Sequence, residues 1–324
     1  MTPRSLVADA AVADETLPMR RFEVLSDEER VDRYKALGKK ALLAYGLSPD
    51  LLYVSQGRHV VFRASIGGGT FAVRIGEAGR DQNEVRRELL WLAALGRDTP
   101  LAVPEPLLTI RGDLFTSVSM EGVPGARSCS VVRWMEGERR EAELTTDEVS
   151  AIGALTAELH RHAERFRWPE EIAPTYENAA DRCFAACDAI RPFVGSPEGA
   201  SLLTEAAALI ADHTPTSGDA GPIHGDLRLR RFRLKQGVAG VLGFGHCRLG
   251  TDLEDLAPLW IELSARRAGD ELKNALLDGY RSVRPLSSSQ EPGLRAHSAL
   301  RALETAAHGL GELRRDRRSK SEAA

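Results

Sequence analysis

The stretch Ile223-His224-Gly225-Asp226-Leu227 decides how the rest of this 324-residue chain is interpreted. It opens a β-like segment, residues 223–250, within a C-terminal half that is otherwise patterned as helices. A second apolar run, rich in glycine, covers residues 240–250. Because this is the only β-like interruption among the predicted helices, we expect it to hold the chemistry of the protein.

Towards the N-terminus, the sequence before Gly137 is patterned mainly as strands. The glycines at 67–69 separate two strand-like runs and predict a hairpin turn rather than a phosphate loop. Helices are predicted at residues 27–45 and 81–95. Strands are predicted within residues 51–75, and at 107–110 and 114–118 on either side of an Arg111-Gly112-Asp113 turn, and at 130–135.

Beyond Gly137 the pattern changes to helices, which predicts a boundary between two lobes there. Thr145 and Glu148 form a capping box at the start of the first helix. The predicted helices cover residues 145–166, 177–193, 201–213, 253–267, 270–281 and 291–314.

The predicted class is α+β: a two-lobed fold with an N-terminal β-rich lobe and a C-terminal α-helical lobe. The first lobe, residues 25–135, is expected to contain a helix, a five-stranded sheet and an inserted helix. The second lobe, residues 136–314, includes a loop region at 222–257. We expect a disordered tail at 1–24 and a frayed tail at 315–324.

The composition excludes several classes of protein. Forty-three Lys and Arg against 47 Asp and Glu give a net charge of −4, so nucleic acid is not an expected partner. The sequence has no run of 18 apolar residues and no signal-peptide core near its start, so we expect a cytoplasmic protein without a membrane partner. The four cysteines form no C-x-x-C pair, which favours reduced thiols: Cys129, Cys183, Cys187 and Cys247.

Two other motif interpretations are rejected. Gly243, Gly245 and Gly250 do not have the spacing of a dinucleotide-binding fingerprint, and no βαβ unit surrounds them. The sequence also has no G-x-S-x-G or H-E-x-x-H motif, so a hydrolase has no support.

The motifs and their order resemble the aminoglycoside phosphotransferase and choline kinase-like family, which has a protein-kinase-like fold. Residues 223–227 resemble the catalytic loop of that family, and residues 240–250, followed by Asp255-Leu256-Ala257, resemble its metal-binding segment. The resemblance also includes Glu88-Leu89-x-Trp91-Leu92 and, at the hinge, Arg133-Trp134-Met135-Glu136-Gly137. It covers residues 50–260 approximately.

The resemblance implies a role for each matching residue. Asp226 would orient a substrate hydroxyl and accept its proton, and His224 would brace the loop as a buried, hydrogen-bonded histidine. Arg74 on the third strand would reach nucleotide phosphates, with Glu88 or Glu84 as its ion-pair partner. Residues at the hinge, Glu136 among them, would contact the nucleotide. The alternative is that Arg74 and Glu88 are exposed residues without a role.

The sequence departs from the family at both metal-ligand positions. The asparagine that should follow Asp226 by five residues is Arg231, and the aspartate before Phe244 is Gly243. Neither residue can coordinate a hard cation that prefers oxygen ligands, so magnesium is not expected at the usual place. Its loss would cost about a thousandfold in rate. A relocated site would have to use His246, Asp252 or Glu254.

Four arginines crowd the loop after Asp226, and they allow two interpretations: Arg228, Arg230, Arg231 and Arg233. In the first, Arg231 occupies the vacated metal position and neutralises phosphate directly, so that anions bind without metal. In the second, the arginines form a solvated basic edge while Leu229 and Phe232 turn inward.

The expected function is that of a pseudokinase which binds a nucleotide (ATP or GTP), a small anionic ligand or a protein partner. The alternative is an active ATP-dependent small-molecule phosphotransferase with a hydroxyl acceptor and a non-standard metal site. A third class, an interaction scaffold with an empty cleft, would bind no nucleotide at all.

Overall fold

A computed structural model describes residues 21–139, 143–213, 220–286 and 290–322. Its first part is a six-stranded antiparallel sheet with two helices, α1 (Asp27–Leu42) and α2 (Gln82–Asp98). The strands are β1 (Leu52–Gln56), β2 (His59–Ile66), β3 (Gly69–Ala78), β4 (Pro106–Leu107), β5 (Thr116–Met120) and β6 (Val123–Arg133). Their order in the sheet is β1-β2-β3-β6-β4, with β5 also paired to β6.

The glycine turn predicted between β2 and β3 is confirmed. Gly67 and Gly68 have φ values of 55° and 81°, which residues with a side chain rarely adopt, and Ser65 pairs with Thr70 across the hairpin. Alternate residues of β2 point inward, and Val60, Phe62 and Ala64 are buried.

Two details of the predicted sheet are wrong. It has six strands rather than five, and the strand predicted at 107–110 is only the two-residue β4; β4 and β5 each pair with β6. The segment around Arg111-Gly112-Asp113 is a turn, closed by the Thr109 N–H donating to the Asp113 carbonyl at 2.8 Å. The hairpin partner of β5 is reached instead through Gly122, whose φ of 75° makes the turn.

The second part of the chain is mainly helical, as predicted. Its helices are α3 (Thr146–Ala163), α4 (Ala179–Ile190), α5 (Pro197–Asp212), α6 (Asp252–Ser264), α7 (Gly269–Arg281) and α8 (Glu291–Glu322). The interruption holds two short antiparallel pairs, formed by β7 (Gly221–Ile223) with β10 (Arg248–Gly250) and by β8 (Phe232–Lys235) with β9 (Val238–Val241). The predicted two-lobed α+β class is therefore confirmed.

Both predicted tails need correction. Residues 1–20 of the first lie outside the described residues, but Phe22–Val24 form a 3-10 turn because Phe22 packs edge-on against Tyr34 at 5.3 Å. In the second, helix α8 continues to Glu322, since the arginines, lysine and glutamate there favour helix. Residues 323–324 are not described.

Tight packing joins the two parts around the loop that follows β7. The indole of Trp91 on α2 lies edge-on against Phe244 with ring centroids 5.4 Å apart, and both rings are fully buried. The hinge is tied to the second part by Glu138, whose backbone exchanges two hydrogen bonds with Leu234 on β8. No helix of the described residues is long and apolar enough to cross a membrane.

Candidate functional site

Asp255 of α6 holds the backbone of the loop after β7 in place. This fully buried carboxylate accepts the backbone N–H groups of His224 and Gly225 at 2.7 and 2.8 Å, and His160 Nε2 lies 3.3 Å from it. Gly225 has a φ of +77°, and a Cβ there would lie 2.3 Å from the carbonyl of His246. The backbone therefore holds Asp226 in one place.

His224 braces this loop through both ring nitrogens. Nε2 lies 3.0 Å from the Leu242 carbonyl and Nδ1 accepts the Asp226 N–H at 3.2 Å, so Nε2 carries the proton. Burial lowers the pKa of His224, which keeps the ring neutral. The imidazole also contacts Phe244, with centroids 4.7 Å apart.

Asp226 is held by four arginines at the wall of a cavity. Arg228 Nε donates to Oδ1 at 3.0 Å, and Arg231 donates to Oδ2 through both Nε, at 3.1 Å, and Nη2. Arg230 and Arg301 lie 3.5 and 3.3 Å away. Burial alone would raise the pKa of Asp226, but the hydrogen bonds and charge of Arg231 outweigh it and lower the pKa to about 2.

Arg231 and Gly243 stand at the two positions where the resemblance would require metal ligands, and they do not fit a divalent cation. A Cβ on Gly243 would lie 2.7 Å from Arg231 Nη1 and 2.9 Å from Cζ, so the guanidinium fills the space in front of Gly243. A cationic side chain there repels a metal ion and offers it no lone pair.

The three residues considered for a relocated metal site lie apart and have other partners. Arg58 Nη1 lies within 3.1 Å of both ring nitrogens of His246, and Asp252 pairs with Arg284. Glu254 is buried between two arginines, Arg182 and Arg248. Within the described ranges, no group of three or more His, Cys, Asp or Glu side chains is arranged to hold a metal ion.

The ion-pair partner of Arg74 is Glu88 rather than Glu84. Arg74 Nη1 lies 2.7 Å from Glu88 Oε1, and its Nε donates to Ser130 Oγ at 3.1 Å. Arg80, which sequence reasoning missed, shares Glu88 at 3.2 Å. Burial would raise the pKa of Glu88, but the charges of the two arginines lower it to about 2. The Nη2 atom of Arg74 is buried without a hydrogen-bond partner in the described structure.

Arg58 joins the two parts of the molecule across the site. It lies in the turn between β1 and β2, contacts His246 and pairs with Glu84 at 2.9 Å. Burial, assisted by the charge of Arg58, lowers the pKa of His246 to about 4. No local sequence signal predicts this contact, because the two residues are 188 positions apart.

The remaining predicted residues divide into two groups. Leu229 and Phe232 are buried, as the second interpretation of the arginine-rich loop expected, but Arg228, Arg230 and Arg231 converge on Asp226 instead of forming a solvated edge. Glu136 is exposed on the hinge. Arg301 on α8 completes the cluster, and sequence reasoning missed it because it lies 75 residues from Asp226.

Comparisons with known proteins agree with this architecture. A homoserine kinase from Neisseria meningitidis serogroup B is 30% identical over 154 residues, which are 45% of this chain and 48% of that protein, so the match spans about half of the relative's length. An amicoumacin kinase solved with AMP-PNP, Ca²⁺ and Ami superposes with a TM-score of 0.68 at 18% identity, covering 89% of this chain and 87% of the other. A microcompartment-associated aminopropanol kinase superposes with a TM-score of 0.68 at 24% identity, covering 84% and 88%.

At these identities the solved structures show a shared fold. The sequence match is broader than any one motif: a model of the family described as "Phosphotransferase enzyme family" matches residues 50–297. That range includes the arginine-bound Asp226, the Arg74–Glu88 pair and the hinge. The chain therefore belongs to the phosphotransferase enzyme family, which is the family that its sequence around Asp226 resembles.

Proposed function

We propose that this protein is a degenerate phosphotransferase, a pseudokinase that binds a nucleotide without magnesium. The observation that carries the proposal is the position of Arg231, whose guanidinium lies against Asp226 and fills the space in front of Gly243. Loss of a metal that stabilises the transferred phosphoryl group costs several kcal/mol, or about a thousandfold in rate.

The nucleotide part of the proposal is supported by Arg74. Its guanidinium is held in place by Glu88 and Ser130, while Nη2 has no hydrogen-bond partner in the described residues. A buried donor without a partner is costly, and a phosphate oxygen would satisfy it. Arg231 would supply a second positive charge to the phosphates, and residues around Glu136 would lie near the base. The choice between ATP and GTP is left to the experiment.

An active small-molecule kinase is the second candidate. Asp226 lies at the wall of a cavity, where a substrate hydroxyl would reach it, and the similarity to a homoserine kinase supports an alcohol-bearing acceptor. This enzyme would need a non-standard metal arrangement. Against it stands the ionic contact with four arginines, which occupies both oxygens of the carboxylate and weakens it as a base.

The decisive experiment is calorimetric titration with ATP and with GTP, each in magnesium and in excess chelator. The proposal predicts binding that is unchanged or tighter in the chelator. Binding that needs magnesium would contradict it and would require an acceptor screen, in which turnover abolished by Asp226→Ala would establish the active kinase. Absence of binding under all conditions would favour a scaffold that acts through a protein partner.

We also propose that the protein is cytoplasmic. Cys129, Cys183, Cys187 and Cys247 are free thiols, which agrees with a reducing compartment. Small molecules and nucleotides are the proposed ligands, and a protein partner is the alternative that the scaffold outcome would support.

A further inference from the structure

A second binding region lies beside Asp226, on the side of the loop that faces α4 and α8. It is a cavity of about 810 Å³, and we call it the arginine cavity because seven arginines line it. Three of these, Arg228, Arg230 and Arg231, come from the loop itself. The others are Arg58, Arg182, Arg248 and Arg301.

The side chains at this cavity carry more positive charges than negative ones. Three carboxylates line it, and two more, Glu84 and Glu254, pair with its arginines from the outside. Seven arginines against five carboxylates leave an excess of two positive charges, while the whole chain has a net charge of −4. The low pKa of His246, about 4, leaves that lining residue neutral at pH 7. The positive charge is therefore concentrated locally.

Two guanidinium groups of the cavity also have weak or missing partners. Arg301 lies 3.3 Å from Asp226 and 3.5 Å from Glu304, near the limit for a hydrogen bond, and its Nε is buried without a partner in the described part of the chain. Arg230 reaches Asp226 only at 3.5 Å. The Arg230 side chain is exposed and free to contact a ligand, and the buried Nε of Arg301 would gain free energy if an anion accepted from it.

We infer that the arginine cavity binds a small molecule with at least two negative charges, carried by phosphate or carboxylate groups. Arg248 and Arg301 would contact these groups, since their side chains are 27% and 29% exposed; Glu254 holds Arg248 in place at 2.6 Å, and Arg301 has only longer contacts, with Asp226 and Glu304. The inference rests on the proposed function, because it names the ligand that would lie beside the nucleotide. A polycationic acceptor such as an aminoglycoside would be repelled.

Calorimetric titration with inorganic pyrophosphate, in excess chelator, tests the inference. We expect binding that weakens as salt is raised, similar binding by citrate if carboxylates suffice, and none by kanamycin. Arg248→Gln and Arg301→Gln should each weaken pyrophosphate binding by about tenfold, the effect of losing one charge-assisted hydrogen bond. Arg86→Gln, which changes an exposed arginine of α2 outside the cavity, is the matched control.

A third variant keeps every arginine. Thr305 is exposed and lines the cavity, so Thr305→Glu adds one negative charge without disturbing the core. It should weaken pyrophosphate binding while the unfolding midpoint stays within error of the wild type. Unchanged affinity in this variant and in the two arginine variants would overturn the inference, and so would tight binding of kanamycin.

The same titrations separate this inference from the proposed function. If pyrophosphate instead occupies the nucleotide side, Arg74→Gln will abolish its binding while the cavity variants will not, and only the second-ligand inference fails. If ATP needs magnesium but pyrophosphate still depends on Arg248 and Arg301, only the pseudokinase proposal fails.

Discussion

The guanidinium of Arg231 lies where a side chain on Gly243 would have to be, with Nη1 2.7 Å from the position of the missing Cβ. The two departures from the expected metal-binding pattern therefore meet at one point of the structure. A side chain at 243 would have to displace the guanidinium of Arg231, which brings its own positive charge to Asp226. The positive charge beside Asp226 therefore belongs to the chain itself.

Restoring a metal ligand at only one of the two positions, 231 or 243, should therefore not create a magnesium site. Gly243→Asp strains the backbone at a φ of +90° and displaces the Arg231 guanidinium from its contact with Asp226, and we expect a loss of about 2–4 kcal/mol in the free energy of unfolding. Adding Arg231→Asn removes the displaced guanidinium, so the double variant should regain part of that loss and acquire magnesium binding. Urea unfolding measures the first effect and calorimetry the second.

Gly237→Asp is the matched control for this pair. Gly237 has a φ of +77°, and no atom of the described residues lies within 4 Å of its Cβ position, so the substitution introduces the backbone strain without displacing a neighbour. A Gly243→Asp variant no less stable than Gly237→Asp would show that Arg231 does not occupy the space in front of residue 243.

Asp226 should make the protein sensitive to acid. The pKa values of Asp226, Glu88 and Glu254 are all lowered to about 2, so the unfolded chain binds protons that the folded chain does not. The stability these groups contribute is fully present above about pH 5, because unfolded carboxyls titrate near 4, and it is lost as the pH falls towards 2. Unfolding by urea between pH 7 and 2.5 measures this decline.

Asp226→Asn should change that profile in two ways. At pH 7 it leaves four arginines without their shared anion, and we expect a loss of about 2–3 kcal/mol, less than for a fully buried pair because the arginines are partly exposed. Below pH 5 the decline should be shallower, since one titrating group is gone. Asp32→Asn, at an exposed position of α1, is the control and should follow the wild type.

The sequence was sufficient to predict the fold where its signals are local. Periodic apolar residues and capping residues identified α3, and the glycines at 67–69 identified the hairpin. The pairing of β4 with β6 could not be predicted in this way, because it joins residues about 25 positions apart, whereas β5 and β6 form a local hairpin whose turn at Gly122 the sequence reasoning missed.

In the site, too, local sequence signals do not show contacts between distant residues. Asp226 and His224 lie within residues 223–227, and the two altered metal positions follow from the resemblance of residues 223–227 and 240–250 to the family, so the sequence could propose them. Arg58 and Arg301 contribute to the site from positions far along the chain, and nothing in their neighbours marks them. Which arginines face solvent and which face Asp226 depends on how the loop is folded, and composition alone cannot decide it.

Two glutamates on α2 should differ strongly in their effect on stability. Glu88 is 1% exposed and paired with Arg74 and Arg80, whereas Glu84 is 40% exposed and paired with Arg58. Glu88→Gln should cost about 3–5 kcal/mol, because it leaves buried guanidinium groups without an anion. Glu84→Gln should cost less than about 1 kcal/mol, as expected of an exposed pair.

Urea unfolding at pH 7 compares the two variants directly, and each is the other's control because both lie one turn apart on the same helix. Equal losses would mean that burial does not govern these pairs. If the proposed nucleotide site is correct, Glu88→Gln should also weaken ATP binding in chelator, since Arg74 would no longer be held in place.

The contact between Arg58 and His246 should be visible in a histidine titration. Burial and the charge of Arg58 lower the pKa of His246 to about 4, so the folded ring is neutral at pH 7, and its contribution to stability is lost as the pH falls from about 6.5 to 4. Arg58→Gln removes the charge but not the burial, and the pKa should rise only part of the way towards 6.5. Titration followed by NMR of the imidazole resonances measures the shift.

Arg63→Gln, which changes an arginine packed over Trp134 instead, should leave the His246 titration unchanged. A His246 pKa that stays near 4 in Arg58→Gln would show that burial alone sets it and that Arg58 does not join the two parts of the molecule there.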